Sequence, residues 1–484
     1  MAVSFKTIAA VIASSLIVSC GPQKQQAFFP SPHEVKVDRA SLRRASVREG
    51  YRTYDREAIL QKVAADKDYA GLIEKSRASV ANLMSMSDEQ FRALIPPANT
   101  KRALMVHRKG CPVHGGGVAV YQPFGTSVNL NYPLQVKCPI GGEVYPNKDF
   151  PDDGQGWVDN RPDSPTKGEK YYFIGWFNHW FLQSLPGHIK TMGQLWFLTG
   201  EEVYSHKARV LLERFMEVYP DMDGNDLTYD GTDWGVYVKM LPTMWEGSAL
   251  LNLTQGVELL LPSAQSAKPG EPTFDDEFLK SFQAKVFRPA FEAYRAKPAP
   301  SNWGNVWNPP FARIANITGD MEILDYMLNE HPVAVSPTLD NQYFRDGFPY
   351  ETAFSYGSDY LYEDKSIAKE LGSNGDWIWN HPNLRESFDG YARLVCLDRF
   401  THFFGDTGGL YNKGLTLQSP LLEEAFLRYR TPLIARNLLQ AYDLYGAGKS
   451  VAIDDLFSDK TAIDIDEVRR IDFKYKGGFL QCQE

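Results

Sequence analysis

Three short segments of the sequence combine amides, carboxylates and aromatic rings with the glycines of tight turns. They are Thr232 to Tyr237, Ser301 to Asn305, and Arg345 to Tyr360. Aromatic faces stack on sugar rings, and polar groups on loops gathered at one end of a helical scaffold form a cleft. The side chains that we predict to line such a cleft are Trp234, Asn302, Trp303, Arg345, Asp346, Glu351, Tyr356, Tyr360 and, from further along, His402.

Each of these motifs also fits a purely structural role. Asn302 has the residue type of a helix cap, and Asp346-Gly347 has the composition of a turn. Tyr356 fits a core position with a hydrogen-bonded hydroxyl. The functional interpretation therefore depends on the segments being taken together.

A second group of residues has the types that bind metal ions. Cys111-Pro-Val-His114 is followed by Cys138-Pro-Ile-Gly141. Tetrahedral zinc takes thiolate and imidazole ligands from tight turns, so Cys111, His114 and Cys138 are candidate ligands of a structural zinc ion. Gly141 stands where a second cysteine of the turn would supply a fourth ligand. A Cys111 to Cys138 disulfide or free structural thiols are the alternatives.

The composition excludes some classes of protein. The chain has 484 residues and a formal net charge of -9, which argues against a general nucleic-acid-binding surface. An acidic glycan would need a local basic cleft instead. The aromatic share of 13%, with 10 Trp, 25 Tyr and 28 Phe, exceeds what core packing usually requires and suits sugar binding.

The elements that would position these residues are predicted to be helices. Apolar residues from Ala208 to Tyr219 recur at helical spacing, which predicts a helix from Glu201 to Tyr219. Thr199-Gly-Glu precedes this helix, and the similar phrase Thr318-Gly-Asp precedes a predicted helix from Met321 to Glu330. A weaker version of this glycine turn comes at the end of the predicted helix Pro432 to Tyr445. Helices joined by tight glycine turns predict a mainly α fold, an incomplete (α/α) toroid of antiparallel hairpins.

The domain boundaries follow from changes in composition. We assign 46–450 to the helical toroid, and the Cys/Gly/Pro-rich stretch at about 109–165 to a loop-and-hairpin insert. Residues 451–484 form a C-terminal extension, in which Ile471 to Tyr475 is predicted to be the first strand of a β-sandwich.

The amino terminus has the pattern of an export signal. Lys6 precedes the apolar run Ile8 to Val18, and the ending Leu16-Ile-Val-Ser-Cys20 resembles the bacterial lipobox. This predicts a signal peptide at 1–19, a lipid on Cys20 and a tether at 20–45, with the protein anchored in the bacterial cell envelope. The alternative is ordinary secretion, with Cys20 an incidental cysteine.

The motifs as an ordered set resemble the heparinase II/III and alginate lyase superfamily. The set comprises the lipid signal, the Cys-Pro loop with Gly-Gly-Glu143-Val-Tyr-Pro, Ser-Asn302-Trp, Ile-Thr-Gly-Asp320, and Asp-Gly-x-x-x-Glu351-x-x-x-Ser-Tyr356. The resemblance implies a helical toroid that binds an acidic polysaccharide. It also implies an active-site asparagine, often followed by histidine, and a tyrosine, which Asn302 and Tyr356 match. Trp303 stands at the histidine position.

The chemistry that this resemblance implies is β-elimination. Removing the C5 proton of a uronic acid makes a dianion unless a donor such as the Asn302 amide binds the carboxylate. Tyr356 would deprotonate C5 or protonate the departing 4-oxygen. A tyrosine has an ordinary pKa of about 10, so it would need a nearby cation. The candidates are Arg345, Arg313 and His402. No cofactor is expected for this reaction.

Two other functions fit the same residues. An inverting glycoside hydrolase would use two carboxylates, such as Asp233 with Asp346 or Glu351, about 6.5 to 9.5 Å apart. A surface glycan-binding lipoprotein without catalysis is the third interpretation.

Overall fold

The structure is a computed structural model that describes part of the chain. The described residues are 54–115, 124–125, 127–228, 238–265, 273–344, 346–351, 354–371, 375–395, 417, 419–445, 452–457 and 463–476. The predicted signal peptide and tether at 1–45, with Cys20, lie outside them, as do the predicted site residues Asp233, Trp234, Arg345 and His402.

Helices dominate these described residues. The first nine are α1 Arg56–Ala65, α2 Lys67–Met84, α3 Asp88–Ala93, α4 Phe173–Thr199, α5 Glu202–Val218, α6 Thr243–Leu260, α7 Asp276–Phe282, α8 Arg288–Ala296 and α9 Asn302–Asn305. The others are α10 Asn308–Thr318, α11 Met321–Asp325, α12 Val335–Asn341, α13 Phe354–Leu371, α14 Asp376–Asn380, α15 Pro382–Arg393, α16 Ser419–Tyr429, α17 Pro432–Tyr445 and α18 Ile465–Lys476. Two segments are π-helical, Gln283–Phe287 and Tyr326–Glu330. A 3₁₀ turn spans Ile453–Phe457.

Helices α4 and α6 pack side by side and run in the same direction. The rings of His179 and Trp245, near the start of each helix, lie 6.1 Å apart. Near the other end, a side chain on Gly256 would collide with the backbone of Ile189 and Lys190. The glycine therefore lets the two helix backbones approach closely.

Helices α10 and α13 continue this parallel layer. The Trp307 indole, just before α10, donates to the carbonyl of Thr243 at the start of α6 (3.0 Å). Towards the other end, Arg313 of α10 forms ion pairs with Glu258 of α6 and Glu370 of α13. All four helices thus begin at one end of the array, the amino end, and finish at the other, the carboxyl end.

Glycine turns connect these inner helices to an outer layer. Gly200 ends α4 with φ +74°, and Gly319 ends α10 with φ +70°, the left-handed conformation that glycine adopts without strain. The Asp320 carboxylate then caps α11 by accepting from the amide of Ile323 (3.3 Å). The predicted mainly α toroid of helix hairpins is confirmed, and the two repeated Thr-Gly phrases are its hairpin turns.

The chain after α17 returns to the first helices. The Ile453–Phe457 turn contacts α1 and α2. The carboxylate of Asp454 accepts from Lys190 (2.7 Å) and Gln194 (2.5 Å) of α4. This turn therefore covers the carboxyl end of the array beside α4.

Short strands hold the loops between α3 and α6. Strands β1 Arg102–Ala103 and β6 Leu227–Thr228 pair in parallel, whereas β2 Val136–Lys137 with β3 Val144–Tyr145 and β4 Trp157–Val158 with β5 Lys170–Tyr171 pair antiparallel. The small hairpin expected in the insert is the β2–β3 pair, in which Val136 lies opposite Tyr145.

One predicted strand is wrong. Ile471 to Tyr475 lie within helix α18, which packs against α17. Val468 and Asp472, one helical turn apart, are both buried on that face. The four-residue spacing of Val468 and Asp472 suits a helix. The apolar run at Ile471 is too short for its sequence alone to distinguish a helix from a strand.

The longest helix, α4, was not predicted. It is buried on nearly every side, so its sequence has no polar face and no helical period. It also contains Pro186, which usually interrupts a helix. Among the described residues, no helix is both long and apolar enough to cross a membrane.

Candidate functional site

Asn302 lies at the amino end of the array, as the first residue of the single-turn helix α9. This turn packs against both α6 and α13. The Asn302 side chain is 4% exposed, and its oxygen accepts from the Ser301 hydroxyl (3.3 Å). Ser301 has φ +60° and ψ -160°, a conformation that costs on the order of 1 to 3 kcal/mol outside glycine. Such strain is found most often at functional sites.

A network of side-chain hydrogen bonds holds the α9 turn in place. The Asn308 side chain donates to the side-chain oxygen of Asn305 (3.1 Å) and to the carbonyl of Val333 (2.9 Å). The Asn308 oxygen in turn lies 2.6 Å from Nε2 of His331. A side chain at Gly304 would collide with the carbonyl of Ala299. The Ser301 to Asn305 segment is therefore rigidly held, as a preorganised site requires.

Tyr356 lies in the first turn of α13 and is partly exposed. The next residue, Gly357, has no space for a side chain because the Tyr391 hydroxyl occupies it. The α9 turn contacts α13, and α10 meets the far end of α13 through Arg313 and Glu370. Asn302 and Tyr356 therefore lie on adjoining elements at the amino end.

Arg313 is not the cation beside Tyr356, and that expectation is wrong. Arg313 is 4% exposed and paired with Glu258 and Glu370. Glu370 lies fourteen residues beyond Tyr356, which is about 21 Å along a helix that rises about 1.5 Å per residue. The other two candidate cations, Arg345 and His402, lie outside the described residues.

Two of the predicted substrate contacts have structural roles. Tyr360 is 1% exposed, so its ring presents no surface for stacking, and its assignment is corrected to the core. The Asp346 carboxylate accepts from the Phe348 amide (3.2 Å), which makes a turn with Gly347 at φ +83°. Asp346 is exposed, so the turn does not prevent it from contacting a ligand. Trp303 and Glu351 are partly buried.

A group of carboxyls along α13 was not predicted from the sequence. Burial and the Glu351 carboxylate raise the pKa of Asp359 to about 6. Burial and the two neighbouring aspartates raise the pKa of Glu363 to about 8. Burial also raises the pKa of Asp364 to about 8, against an opposing hydrogen bond from the Tyr343 hydroxyl (3.4 Å). The spacing of Tyr356, Asp359 and Glu363 places them on one side of the helix.

His179 was also missed. It is fully buried near the start of α4, and its two ring nitrogens have no hydrogen-bond partner among the described residues. Burial, assisted by the Arg102 charge, lowers the pKa of His179 to about 3. His179 is therefore a neutral imidazole, which rules it out as the cation for Tyr356 at neutral pH. A single histidine in an apolar run gave no sequence signal.

The predicted metal ligands come together in space. Nδ1 of His114 lies 3.7 Å from the Cys111 sulfur and 3.7 Å from the Cys138 sulfur. The three ligand atoms all lie within 4.8 Å of one another. Both thiols are free, so the structure has no bond between the two sulfurs.

Comparisons with known proteins find similarity in structure but not in sequence. No family model matches the sequence, and no curated protein matches it. Among solved structures, an alginate lyase from Bacteroides ovatus is similar at a TM-score of 0.41 and 15% sequence identity, over 85% of this chain and 97% of that chain. Similarity at this level carries no functional argument, so the residues themselves must supply it.

Proposed function

We propose that the protein is a polysaccharide lyase that cleaves a uronic-acid-containing polymer at the amino end of the helical array. The observation that carries the proposal is the placement of Asn302 and Tyr356 on adjoining elements there. An amide that neutralises a carboxylate and a hydroxyl that transfers a proton act on adjacent atoms of one sugar ring. The contact between α9 and α13, and the strained, rigidly held backbone beside Asn302, support this pairing.

The electrostatics of the amino end suit an anionic sugar. The first turns of α4, α6, α10 and α13 are gathered there, and a helix amino terminus carries about half a positive charge. In α4 the first-turn amides of Phe173 and Ile174 already donate to the Asp152 carboxylate (2.9 and 3.0 Å), so the dipoles of the other three helices would supply the positive potential for a substrate. A local site for an acidic polysaccharide is thus compatible with the net charge of -9.

In the proposed reaction, the Asn302 amide donates to the uronate carboxylate as negative charge develops on it. Tyr356 removes the C5 proton, a double bond forms between C4 and C5, and the bond from C4 to the glycosidic oxygen breaks. The departing oxygen then takes a proton from Tyr356. Arg345 and His402 remain the proposed cations that would lower the tyrosine pKa.

Product analysis tests this function. A panel of uronic-acid polymers is incubated with the full chain, and products are followed by ultraviolet absorbance and by a reducing-end assay. A lyase yields unsaturated ends that absorb in the ultraviolet, together with new reducing ends. Absence of the absorbance across the panel, while the polymer is cut, would contradict the proposal.

A glycoside hydrolase is the second candidate, because one observation favours it. Asp359 and Glu363 have raised pKa values, and a carboxylic acid that keeps its proton near neutral pH is what a general acid requires. Such an enzyme would give reducing ends without the absorbance. A glycan-binding protein would retain the polymer and give neither product.

We also propose that Cys20 carries a lipid that anchors the protein in the bacterial cell envelope. The lipobox-like ending Leu16 to Cys20 supports this proposal. Cys20→Ser should release the protein from the membrane fraction, whereas Cys482→Ser, which also removes one thiol, should not. Equal membrane retention of the Cys20→Ser variant and its parent would rule out the anchor.

A further inference from the structure

We propose that Cys111, His114, Cys138 and Glu143 bind one zinc ion in a closed tetrahedral site. The site is separate from the proposed reaction centre and holds the loops of the insert against α4. Three of the ligands come from the two Cys-Pro turns, and Glu143 supplies the ligand that the sequence pattern lacks.

The three distances from Nδ1 of His114 to the other proposed ligand atoms match the edges of a zinc tetrahedron, and the three atoms of Cys111, His114 and Cys138 lie within 4.8 Å of one another. Zinc binds sulfur at about 2.3 Å and imidazole nitrogen at about 2.0 to 2.1 Å, which places sulfur and nitrogen about 3.6 Å apart. The observed separations from Nδ1 of His114 to the sulfurs of Cys111 and Cys138 are both 3.7 Å. For nitrogen and oxygen ligands the expected edge is about 3.4 Å. Nδ1 of His114 lies 3.4 Å from Oε2 of Glu143.

Glu143 is positioned to be the fourth ligand. Its Oε2 atom is buried, and no hydrogen-bond partner for it occurs among the described residues. Oε2 lies beside the His114 ring, 3.4 Å from Nδ1, although the Glu143 side chain as a whole is 38% exposed. A buried carboxylate oxygen without a hydrogen bond is costly unless a cation compensates it.

Gly141 explains why the second turn lacks another cysteine. A Cβ atom at this position would collide with the His114 ring and with both carboxylate oxygens of Glu143. Any side chain at Gly141 would therefore separate His114 from Glu143. The residue that departs from the Cys-x-x-Cys pattern is the one that admits the imidazole and the carboxylate.

Backbone amides form hydrogen bonds to both sulfurs. The Val113 amide donates to the Cys111 sulfur (3.4 Å), and the Gly141 amide donates to the Cys138 sulfur (3.5 Å). The Tyr145 hydroxyl lies 3.2 Å from the Cys111 sulfur. Such contacts around metal ligands orient them and stabilise their charge.

The site would fasten the insert to the amino end of the array. Tyr145, beside the Cys111 sulfur, stacks on Phe173 at the start of α4, with ring centroids 4.8 Å apart. Strand β2, which precedes Cys138, also contacts α4. A cavity of about 510 Å³ lies between the Cys138 turn, Phe124 and Trp176. The metal would thus hold one wall of this cavity in place.

Metal content and cobalt spectroscopy test the proposal. The full chain is produced without a polyhistidine tag, purified without chelator, and its zinc is measured by elemental analysis. We expect about one zinc per chain. After exchange for cobalt, we expect the absorption of a tetrahedral ion with thiolate charge-transfer bands. Substoichiometric zinc together with a cobalt spectrum lacking those bands would overturn the proposal.

Matched variants identify the ligands. Cys138→Ser and Glu143→Ala should each weaken zinc binding by at least 10- to 100-fold in a chelator competition, the scale seen even for indirect partners of a metal. Gly141→Ala should weaken it similarly without removing a ligand. Cys482→Ser, the control for thiol loss, should bind zinc like the parent. Zinc binding unchanged in Glu143→Ala would overturn the four-ligand site.

A mass measurement separates the site from a disulfide. If Cys111 and Cys138 bind zinc, both thiols react with an alkylating agent only after the metal is removed. A metal-free chain in which the two cysteines resist alkylation until a reductant is added would overturn the proposal in favour of the disulfide.

Discussion

The two ends of the helical array use charged residues in opposite ways. At the carboxyl end, Arg313 is enclosed by Glu258 and Glu370, and Asp454 accepts from Lys190 across the mouth of a cavity of about 360 Å³. Each of these charges has a partner of opposite sign.

The amino end is arranged differently. Burial and the Glu351 carboxylate raise the pKa of Asp359, and His179 is a neutral buried imidazole near the start of α4. Ser301 adopts a strained backbone conformation beside Asn302. Groups with shifted pKa values and strained backbone cluster at functional sites. The same four helices thus have paired charges at one end, and a strained backbone and shifted pKa values towards the other.

The largest expected effect is on turnover at the amino end. If the protein is a lyase, Tyr356→Phe should lower kcat by about 10² to 10⁴, because general acid and base catalysis contributes on that scale. Binding should change little, since the hydroxyl acts mainly in the transition state. Tyr362→Phe is the matched control, because this residue lies on the same helix but lines the carboxyl-end cavity. Equal kcat losses in the two variants would break the distinction between the ends.

The second prediction concerns stability at the carboxyl end. Arg313→Met leaves Glu258 and Glu370 buried without their cation, and the free energy of unfolding should fall by about 3 to 5 kcal/mol. Urea unfolding of both proteins measures it. Arg428→Met removes an arginine from an exposed pair with Asp376 (3.3 Å), and should cost at most about 1 kcal/mol. A similar small cost for both variants would show that the buried ion pairs do not stabilise this end.

The third prediction compares two buried asparagines on adjoining helices. Asn302→Ala should lower kcat by about 10² to 10³, the loss seen when one donor to a developing anion is removed. Asn316, at the carboxyl end, donates to the carbonyl of Glu370 (2.7 Å). Asn316→Ala should therefore lower the unfolding free energy by about 1 to 3 kcal/mol and leave kcat unchanged in the folded enzyme. If Asn302→Ala lowers the unfolding free energy but leaves kcat unchanged, the two asparagines do not differ in role and Asn302 is structural.

The hairpin architecture was predictable because its signals are local. Residues Glu202–Val218 and Pro432–Tyr445 form helices almost within the predicted limits, since their apolar residues follow a helical period. The glycine turns at Gly200 and Gly319 were visible for the same reason. Helix α4 was not visible, because a helix buried on all sides has no polar face to mark its period.

The site was predictable only in part. Polar motifs at hairpin junctions indicated that Asn302 and Tyr356 lie at one end of the array. The partners of Arg313 and the carboxyls around Asp364 depend on which helix faces meet, and nothing in their local sequence specifies that. The ligand Glu143 was missed because the pattern of cysteines directed attention to Gly141 instead.

The last prediction concerns Asp364 of α13 and the way protein stability changes with pH. The folded-state pKa of Asp364 is raised to about 8, whereas an aspartate in the unfolded chain has a pKa of about 3.9. Between these values the folded protein binds more protons than the unfolded chain, so Asp364 reduces stability increasingly as pH rises from about 4 to about 8. The amide that Asp364→Asn introduces cannot ionise, and its oxygen can still accept from the Tyr343 hydroxyl. Asp364→Asn should therefore be more stable than the parent, by a margin that grows by up to about 1.4 kcal/mol per pH unit in this window.

Unfolding free energies from urea titrations at about pH 5 and about pH 7 measure that margin, and we expect it to increase by up to about 2.6 kcal/mol between them. Asp376→Asn, which removes an exposed carboxylate at 53% side-chain exposure, controls for the change in net charge. A margin for Asp364→Asn that stays constant or shrinks with rising pH would mean that this carboxyl is ionised in the folded protein. The middle of α13 would then hold an ionised carboxylate, as the carboxyl end does, and the contrast between the ends would not extend to Asp364.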